Sequence, residues 1–170
     1  MAGGVSGKTS GVGSDIIDYL EAVGEHYNVT LNVTSGKRSP EEQGEAMFDN
    51  WIKLKRGDVY GASALSANDK KTLDDYYKKA KEDDKASDAD KKTAETEFKK
   101  LATEKVGKKS KHSTGRAVDV AQSSVSTKAY KIITLELDEV PEGGRTDIYH
   151  FESTSKVPAV TDAMKTKWPK

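Results

Sequence analysis

The stretch Val29-Thr-Leu-Asn-Val-Thr-Ser-Gly-Lys-Arg-Ser-Pro-Glu-Glu-Gln43 predicts a strand followed within a few residues by a capped helix. Apolar side chains occupy alternate positions from Val29 to Val33, which is typical of a half-buried strand. Ser39 can cap a helix, Pro40 suits its first position, and the two glutamates that follow face the positive end of the helix dipole. A strand and a helix this close together indicate a fold that mixes both kinds of element.

Outside this stretch the chain carries further helix and strand signals. A helix capped by Ser14 is predicted over about 15 to 27, and the helix that starts at Ser39 is expected to run to about Lys55. Residues 127 to 140 fit a helix or a strand equally well. The remaining predictions are strands over Ala117 to Ala121 and Thr146 to Glu152, a turn over Pro141 to Gly144, and a short closing helix over Val157 to Trp168.

Residues 68 to 106 form a highly charged segment with few apolar side chains. Their spacing predicts a helical hairpin that turns near Ala86 to Asp88 and packs one narrow stripe on the core. Residues 1 to 13 are rich in Gly and Ser and predict a flexible N-terminus, and residues 57 to 67 predict a loop. The length of 170 residues favours a single domain. We expect an α+β fold, in which flanking helices pack on a small, mainly antiparallel sheet and the charged hairpin is inserted.

Composition excludes several classes of site and partner. Lys plus Arg and Asp plus Glu both total 28, so no overall charge favours nucleic acid or an anionic membrane. The absence of cysteine excludes disulfides, thiolate metal ligands and cysteine nucleophiles. No stretch is apolar enough to predict a membrane span, and the first residues lack the apolar run of a Sec signal. Any metal must therefore bind to His, Asp or Glu.

Two of the three histidines lie near acidic residues in the strand-rich part of the sequence. His112, Asp119 and His150 together supply the three protein ligands that a catalytic zinc site uses. A loop followed by a strand can bring His112 and Asp119 to one point, and His150 would come from a neighbouring strand. The third histidine, His26, lies on the polar side of the first predicted helix and is expected to be structural.

Three sequence blocks resemble one family of enzymes. Ser110-Lys-His-Ser-Thr-Gly-Arg-Ala-Val-Asp119 fits the pattern SxHxxGxAxD at every fixed position. Thr34 to Gln43 is similar to an SGxRS segment, and Asp147-Ile-Tyr-His150 occupies the place of an ExxH segment. Together they resemble the D-alanyl-D-alanine carboxypeptidase family of zinc metallopeptidases, which includes bacterial dipeptidases and phage endolysins. The resemblance covers about residues 29 to 55 and 108 to 152.

The resemblance implies a role for each matching residue. His112, Asp119 and His150 would bind one zinc ion, and Asp147 would be the general base. Arg38 would be the cation at the reacting carbonyl, or grip a substrate carboxylate through its fork of donors. Ser110 and Gln43 would hydrogen-bond the substrate terminus. The family's usual base is glutamate, and Asp147 is one methylene shorter, so Glu152 is a second candidate for the base.

The function implied is hydrolysis of a peptide bond in peptidoglycan stem peptides, by a carboxypeptidase or an endopeptidase. Without a Sec signal we expect synthesis in the cytoplasm and action in the periplasm or on the cell wall after lysis or export. That setting suits a phage lysin or an exported antibacterial effector, with any immunity or secretion partner unidentified. The alternative is a catalytically silent zinc-binding module that binds the cell wall or a protein partner.

Overall fold

The computed structural model describes residues 3–57, 64–141 and 145–169, and among these five strands form one sheet. The strand order is β1-β2-β3-β5-β4. β1 pairs in parallel with β2, and the three other pairings are antiparallel. The expectation of an α+β fold with a mainly antiparallel sheet is confirmed. The strands are β1 (Gly4–Gly7), β2 (Thr30–Ser35), β3 (Ala117–Ala121), β4 (Asp138–Glu139) and β5 (Ile148–Glu152).

The first strand lies in the segment that the sequence indicated to be flexible. Gly4–Gly7 pairs residue by residue with Thr30 to Val33, so this part of the segment predicted to be flexible forms a strand. Two glycines in four residues give β1 no strand signal of its own. Parallel strands require a crossover connection, and the helix α1 (Ser14–Tyr27) supplies it between β1 and β2.

One face of the sheet packs against helices. Val118 and Val120 of β3 are buried in a cluster with residues of α1 and of α5 (Thr127–Glu136), including Leu20 and Ile133. The hydroxyl of Tyr19 on α1 donates to the backbone oxygen of Ile132 on α5 at 2.7 Å, which satisfies its one buried polar group. The chain ends with the short helix α6 (Asp162–Lys165). These contacts make the helix-packed face the core of the sheet.

Three further helices share a second hydrophobic cluster. They are α2 (Pro40–Asp49), α3 (Ala67–Lys81) and α4 (Asp88–Lys105). Phe98 of α4 is fully buried, and its ring lies 5.0 Å from that of Phe48 and 5.1 Å from that of Trp51. The charged hairpin α3–α4 was thus predicted correctly as an element. Its buried apolar side chains form one cluster with those of α2, and the buried residues of the sheet form another.

By their contacts the described residues fall into two compact units, one holding the sheet with α1, α5 and α6, and the other holding α2, α3 and α4. The division of the chain into domains stays a prediction. Most of the predicted loop over 57 to 67, and Glu142 to Gly144 of the predicted turn, lie outside the described residues. None of the helices in the described residues is long and apolar enough to cross a membrane.

Element ends differ from the sequence predictions in three places, and one segment that the sequence left open is now assigned. Helix α2 ends at Asp49, six residues before Lys55, although Trp51 and Leu54 are buried as predicted. The ambiguous segment forms α5 followed by β4. The closing helix contains only the four residues of α6. Helix α1 is capped by Gly13 and starts at Ser14, so Ser14 does not act as the cap.

Candidate metal centre

Asp119 and His150 lie opposite each other on paired strands. The antiparallel register of β3 and β5 pairs Asp119 directly with His150. Side chains of directly paired residues share a face, and the Oδ1 atom of Asp119 lies 2.8 Å from Nδ1 of His150. Asp119 is 1% exposed and His150 is 9% exposed. Because β3 alternates, this face is opposite to the one on which Val118 and Val120 pack against helices.

His112 lies in the turn that leads into β3. The hydroxyl of Ser113 donates to the Ser110 backbone oxygen at 2.7 Å, and the backbone N–H of His112 donates to the Ser110 hydroxyl at 3.2 Å. Gly115 then adopts φ +70°, and a Cβ placed there would lie 2.3 Å from the backbone oxygen of Gly11. The glycine of the motif is therefore required by its backbone conformation and by a close backbone neighbour.

The imidazoles and the carboxylate meet in one group. One candidate ligand atom from each of His112, Asp119 and His150 lies within 4.8 Å of the others, and all three residues are buried. A buried carboxylate needs a cation or several hydrogen bonds to offset its desolvation. Two imidazole nitrogens and one carboxylate oxygen form a donor set found in catalytic zinc sites, so these residues fit a zinc ion. This group could hold a metal ion, as the sequence predicted.

An ion pair anchors the chain between His112 and Asp119. Nη1 of Arg116 donates to both carboxylate oxygens of Asp15, at 2.7 and 2.9 Å, and Nη2 donates to the backbone oxygen of Ser155. The Val157 backbone N–H donates to the same carboxylate at 2.8 Å. Burial by itself would raise the pKa of Asp15, but hydrogen bonds from Arg116 and Val157 outweigh it and hold that pKa below its ordinary value.

The two candidate bases occupy different surroundings. Asp147 is exposed and directly precedes β5, where its backbone oxygen accepts from the Gln122 backbone N–H at 3.0 Å. Glu152 is a quarter exposed, and its Oε2 lies 3.5 Å from Nε2 of His150. His150 thus has a different carboxylate beside each ring nitrogen, Asp119 at Nδ1 and Glu152 at Nε2.

Arg38 and Gln43 also contact each other. Nη1 of Arg38 donates to the Oε1 of Gln43 at 3.1 Å, and the backbone N–H of Arg38 donates to the His112 backbone oxygen at 3.3 Å. Both side chains line a pocket together with Arg145. Ser110, expected to bind substrate, uses its hydroxyl in the turn around His112.

Two further residues near these sites, Asp15 and Arg145, were not among the candidates predicted from sequence. Neither belongs to a motif. Asp15 is identified by its ion pair with Arg116, and Arg145 is identified by the pocket that it lines. His26 is exposed and makes ring contacts with Tyr27 and Trp168, in line with its expected structural role. Comparisons with protein-family models, with curated proteins and with solved structures found no match.

Proposed function

We propose that this protein is a zinc-dependent peptidase that hydrolyses stem peptides of peptidoglycan, as a carboxypeptidase or an endopeptidase. The observation that carries the proposal is the buried group of His112, Asp119 and His150. His112 and Asp119 occupy fixed positions of the motif that resembles the D-alanyl-D-alanine carboxypeptidase family, and His150 occupies that of the ExxH-like segment. A motif and a convergent ligand group are independent kinds of support, because the motif is local and the third ligand, His150, lies 31 positions after Asp119.

A zinc ion, when bound, supplies a Lewis acid for peptide hydrolysis. His112, Asp119 and His150 would hold it. In the proposal, Asp147 takes the proton of the attacking water and passes it to the leaving amine. Arg38 stabilises the negative charge that develops on the carbonyl oxygen, or grips a substrate carboxylate. Ser110 and Gln43 hydrogen-bond the substrate terminus.

The surroundings of His150 favour Asp147 over Glu152 as the base. The two nitrogens of an imidazole point away from each other, so carboxylates at Nδ1 and Nε2 lie on different sides of the ring. Asp119 is at Nδ1, which makes Nδ1 the nitrogen that faces the ligand group, and Glu152 is at Nε2. A carboxylate at the outer nitrogen of a ligand histidine orients the ring and selects its tautomer. We therefore assign Glu152 to the support of His150, which leaves the proton transfer to Asp147.

The proposed setting is the periplasm or the cell wall, where peptidoglycan is found. A phage lysin and an exported antibacterial effector both fit this setting. The alternative function is a zinc-binding module that binds cell wall or a protein partner without catalysis. The observation behind this alternative is that Asp147 is exposed and one methylene shorter than the glutamate of the family.

Digestion of purified peptidoglycan, followed by mass spectrometry of the released products, tests the proposal. We expect peptides or D-alanine to be released by the zinc-loaded protein and release to stop in Asp147→Asn while zinc still binds. The matched control is Asp84→Asn, which removes another exposed carboxylate and leaves activity unchanged. One equivalent of zinc with no product from any wall preparation would reject the peptidase and support the silent module. Full activity in Asp147→Asn would reject Asp147 as the base.

A further inference from the structure

The carboxylate of Asp15 joins three separate segments of the chain. Asp15 lies in the first turn of α1, and both of its oxygens accept from Nη1 of Arg116, the residue that directly precedes β3. The same carboxylate accepts from the backbone N–H of Val157, in the segment that follows β5. Asp15 therefore ties the start of the strand that carries Asp119 to the segment after the strand that carries His150.

Further hydrogen bonds of Arg116 reinforce this connection. Its backbone oxygen accepts from the N–H of Ser153 at 2.9 Å, and its Nη2 donates to the backbone oxygen of Ser155. Arg116 lies three positions before Asp119, and Ser153 lies three positions after His150. Because Asp119 and His150 are directly paired, the connection lies at one end of this strand pair, about 10 Å from both side chains along the strands.

The ion pair is held by packing as well as by charge. Side chains of Asp15 and Arg116 are 14% and 23% exposed, and the Gly13 backbone N–H donates to the backbone oxygen of Gly115 at 2.8 Å. A Cβ on Gly13 would lie 2.7 Å from Oδ1 of Asp15 and 2.9 Å from Nη1 of Arg116. A bidentate pair enclosed in this way has a defined geometry, unlike an exposed pair of long side chains.

We propose that Asp15 is a positioning residue for the metal centre, which holds β3 and β5 so that Asp119 and His150 reach one ion. It acts through Arg116 and Val157, and thus through the backbone next to the two strands. Functional groups have to be held within about 0.5 Å of their working geometry, which a fixed strand pair provides. The inference rests on the proposed function for the identity of the ion as zinc, and it does not depend on the substrate.

Zinc affinity measures this role without requiring catalysis. The purified protein competes with a chromophoric chelator for zinc under conditions in which every variant is folded. We expect Asp15→Ala to bind zinc about tenfold more weakly, at the lower end of the range for residues that support metal ligands. Asp15→Asn keeps the size of the side chain and should show a similar loss, whereas Asp15→Glu should recover most of the affinity. Asp15→Ala combined with Arg116→Met should lose no more than Asp15→Ala alone, because both changes break the same pair.

The visible absorption of bound cobalt(II) separates positioning from stability. These bands depend on the number and arrangement of the ligands, so the fully loaded Asp15→Asn variant should differ from the wild type. Tyr19→Phe controls for stability, because it removes a buried hydrogen bond of the same helix to the Ile132 backbone oxygen. Asp18→Asn controls for charge, because it neutralises an exposed aspartate of α1. Both controls should keep the zinc affinity and the cobalt spectrum of the wild type.

The outcomes distinguish this role of Asp15 from the peptidase. Wild-type zinc affinity in both Asp15→Ala and Asp15→Asn would overturn the proposal, and so would an equal loss of affinity in Tyr19→Phe. An unchanged cobalt spectrum in Asp15→Asn would also overturn it and leave the pair a purely stabilising one. If peptidoglycan is not digested but zinc affinity depends on Asp15, the proposed function fails and the positioning role stands.

Discussion

His150 has a distinct partner at each of its ring nitrogens. Asp119 lies at Nδ1 at 2.8 Å and Glu152 at Nε2 at 3.5 Å. Residues 150 and 152 share a face of β5, because side chains alternate along a strand. The position of Glu152 is therefore a consequence of strand geometry, and its effect on a metal ion should be exerted through His150.

Removing the Glu152 carboxylate should weaken zinc binding without abolishing it. We expect Glu152→Ala to lower zinc affinity by about 10- to 100-fold, the range found when the outer partner of a ligand histidine is removed. Glu152→Gln should retain much of the affinity, since its side-chain oxygen can still accept from Nε2–H. Asp119→Ala should lose far more, since it removes a proposed ligand. Competition with a chromophoric chelator measures the zinc affinity of all three variants. An unchanged affinity in Glu152→Ala would mean that Glu152 does not support His150.

The Arg116–Asp15 pair should contribute to stability at neutral pH and not in acid. The folded state lowers the pKa of Asp15, so the stabilisation is complete above the ordinary aspartate pKa and disappears as the pH falls through the folded value. Arg116→Met should reduce the free energy of unfolding by about 2 kcal/mol at pH 7, because charge-assisted hydrogen bonds are lost. Urea unfolding at a series of pH values checks this. A difference that stays constant down to about pH 2 would show that the pair does not act through the charge of Asp15.

Helices α2 and α4 approach each other closely at a glycine. A Cβ on Gly44 would lie 2.5 Å from Oγ1 of Thr103 and 2.8 Å from the backbone oxygen of Lys99. The second of these atoms cannot rotate away, so a larger residue must separate the helices. The segment that precedes the candidate zinc ligands is thus held by backbone-to-backbone proximity as well as by its apolar cluster.

We expect Gly44→Ala to destabilise the protein although alanine has the higher helix propensity. Because the backbone oxygen of Lys99 cannot move aside, overpacking here should cost about 2 to 3 kcal/mol, which exceeds the gain of about 1 kcal/mol from propensity. The exposed neighbour provides the control, because Glu45→Ala should change the free energy of unfolding by less than about 0.5 kcal/mol. Chemical denaturation of the three proteins tests the contact, and a more stable Gly44→Ala would disprove it.

The two compact units of the chain have separate hydrophobic clusters. One contains Ile133 and the residues of β2 and β3, and the other contains Phe98 with residues of α2. Buried apolar area is the main source of folding free energy, so each cluster should stabilise mainly the elements that surround it. The stability of the chain is therefore expected to vary between units.

Native-state hydrogen exchange should reveal this division. Phe98→Ala removes a fully buried ring and should cost about 3 to 5 kcal/mol, lowering the protection of amides in α2, α3 and α4. Protection of amides in β3 and β5 should change much less. Ile133→Ala is the reciprocal variant and should give the opposite pattern. Equal loss of protection in every element for both variants would show that the chain unfolds as one unit.

Much of the fold and of the site could be predicted, and the misses have physical causes. The extent of β3 and the cap at Ser39 follow from side-chain alternation and from hydrogen bonds within one turn, which are local. Strand β1 could not be predicted, because its glycines carry no signal and its pairing partner is 26 positions away at Thr30. The predicted end of α2 was also wrong. Trp51 and Leu54 are buried, which extended the apolar pattern, but they lie beyond the helix.

Residue types and spacing in the sequence were enough to indicate the candidate metal-binding group of His112, Asp119 and His150, the α+β class and the charged hairpin. Those properties depend on side-chain chemistry and on interactions between near neighbours. The pairing of Asp119 with His150, the position of Glu152 at Nε2 and the unpartnered Nε2 of Gln43 emerged from the folded chain alone. Strand register and burial are set by contacts between residues far apart in sequence, and no local pattern records which atoms those contacts bring together.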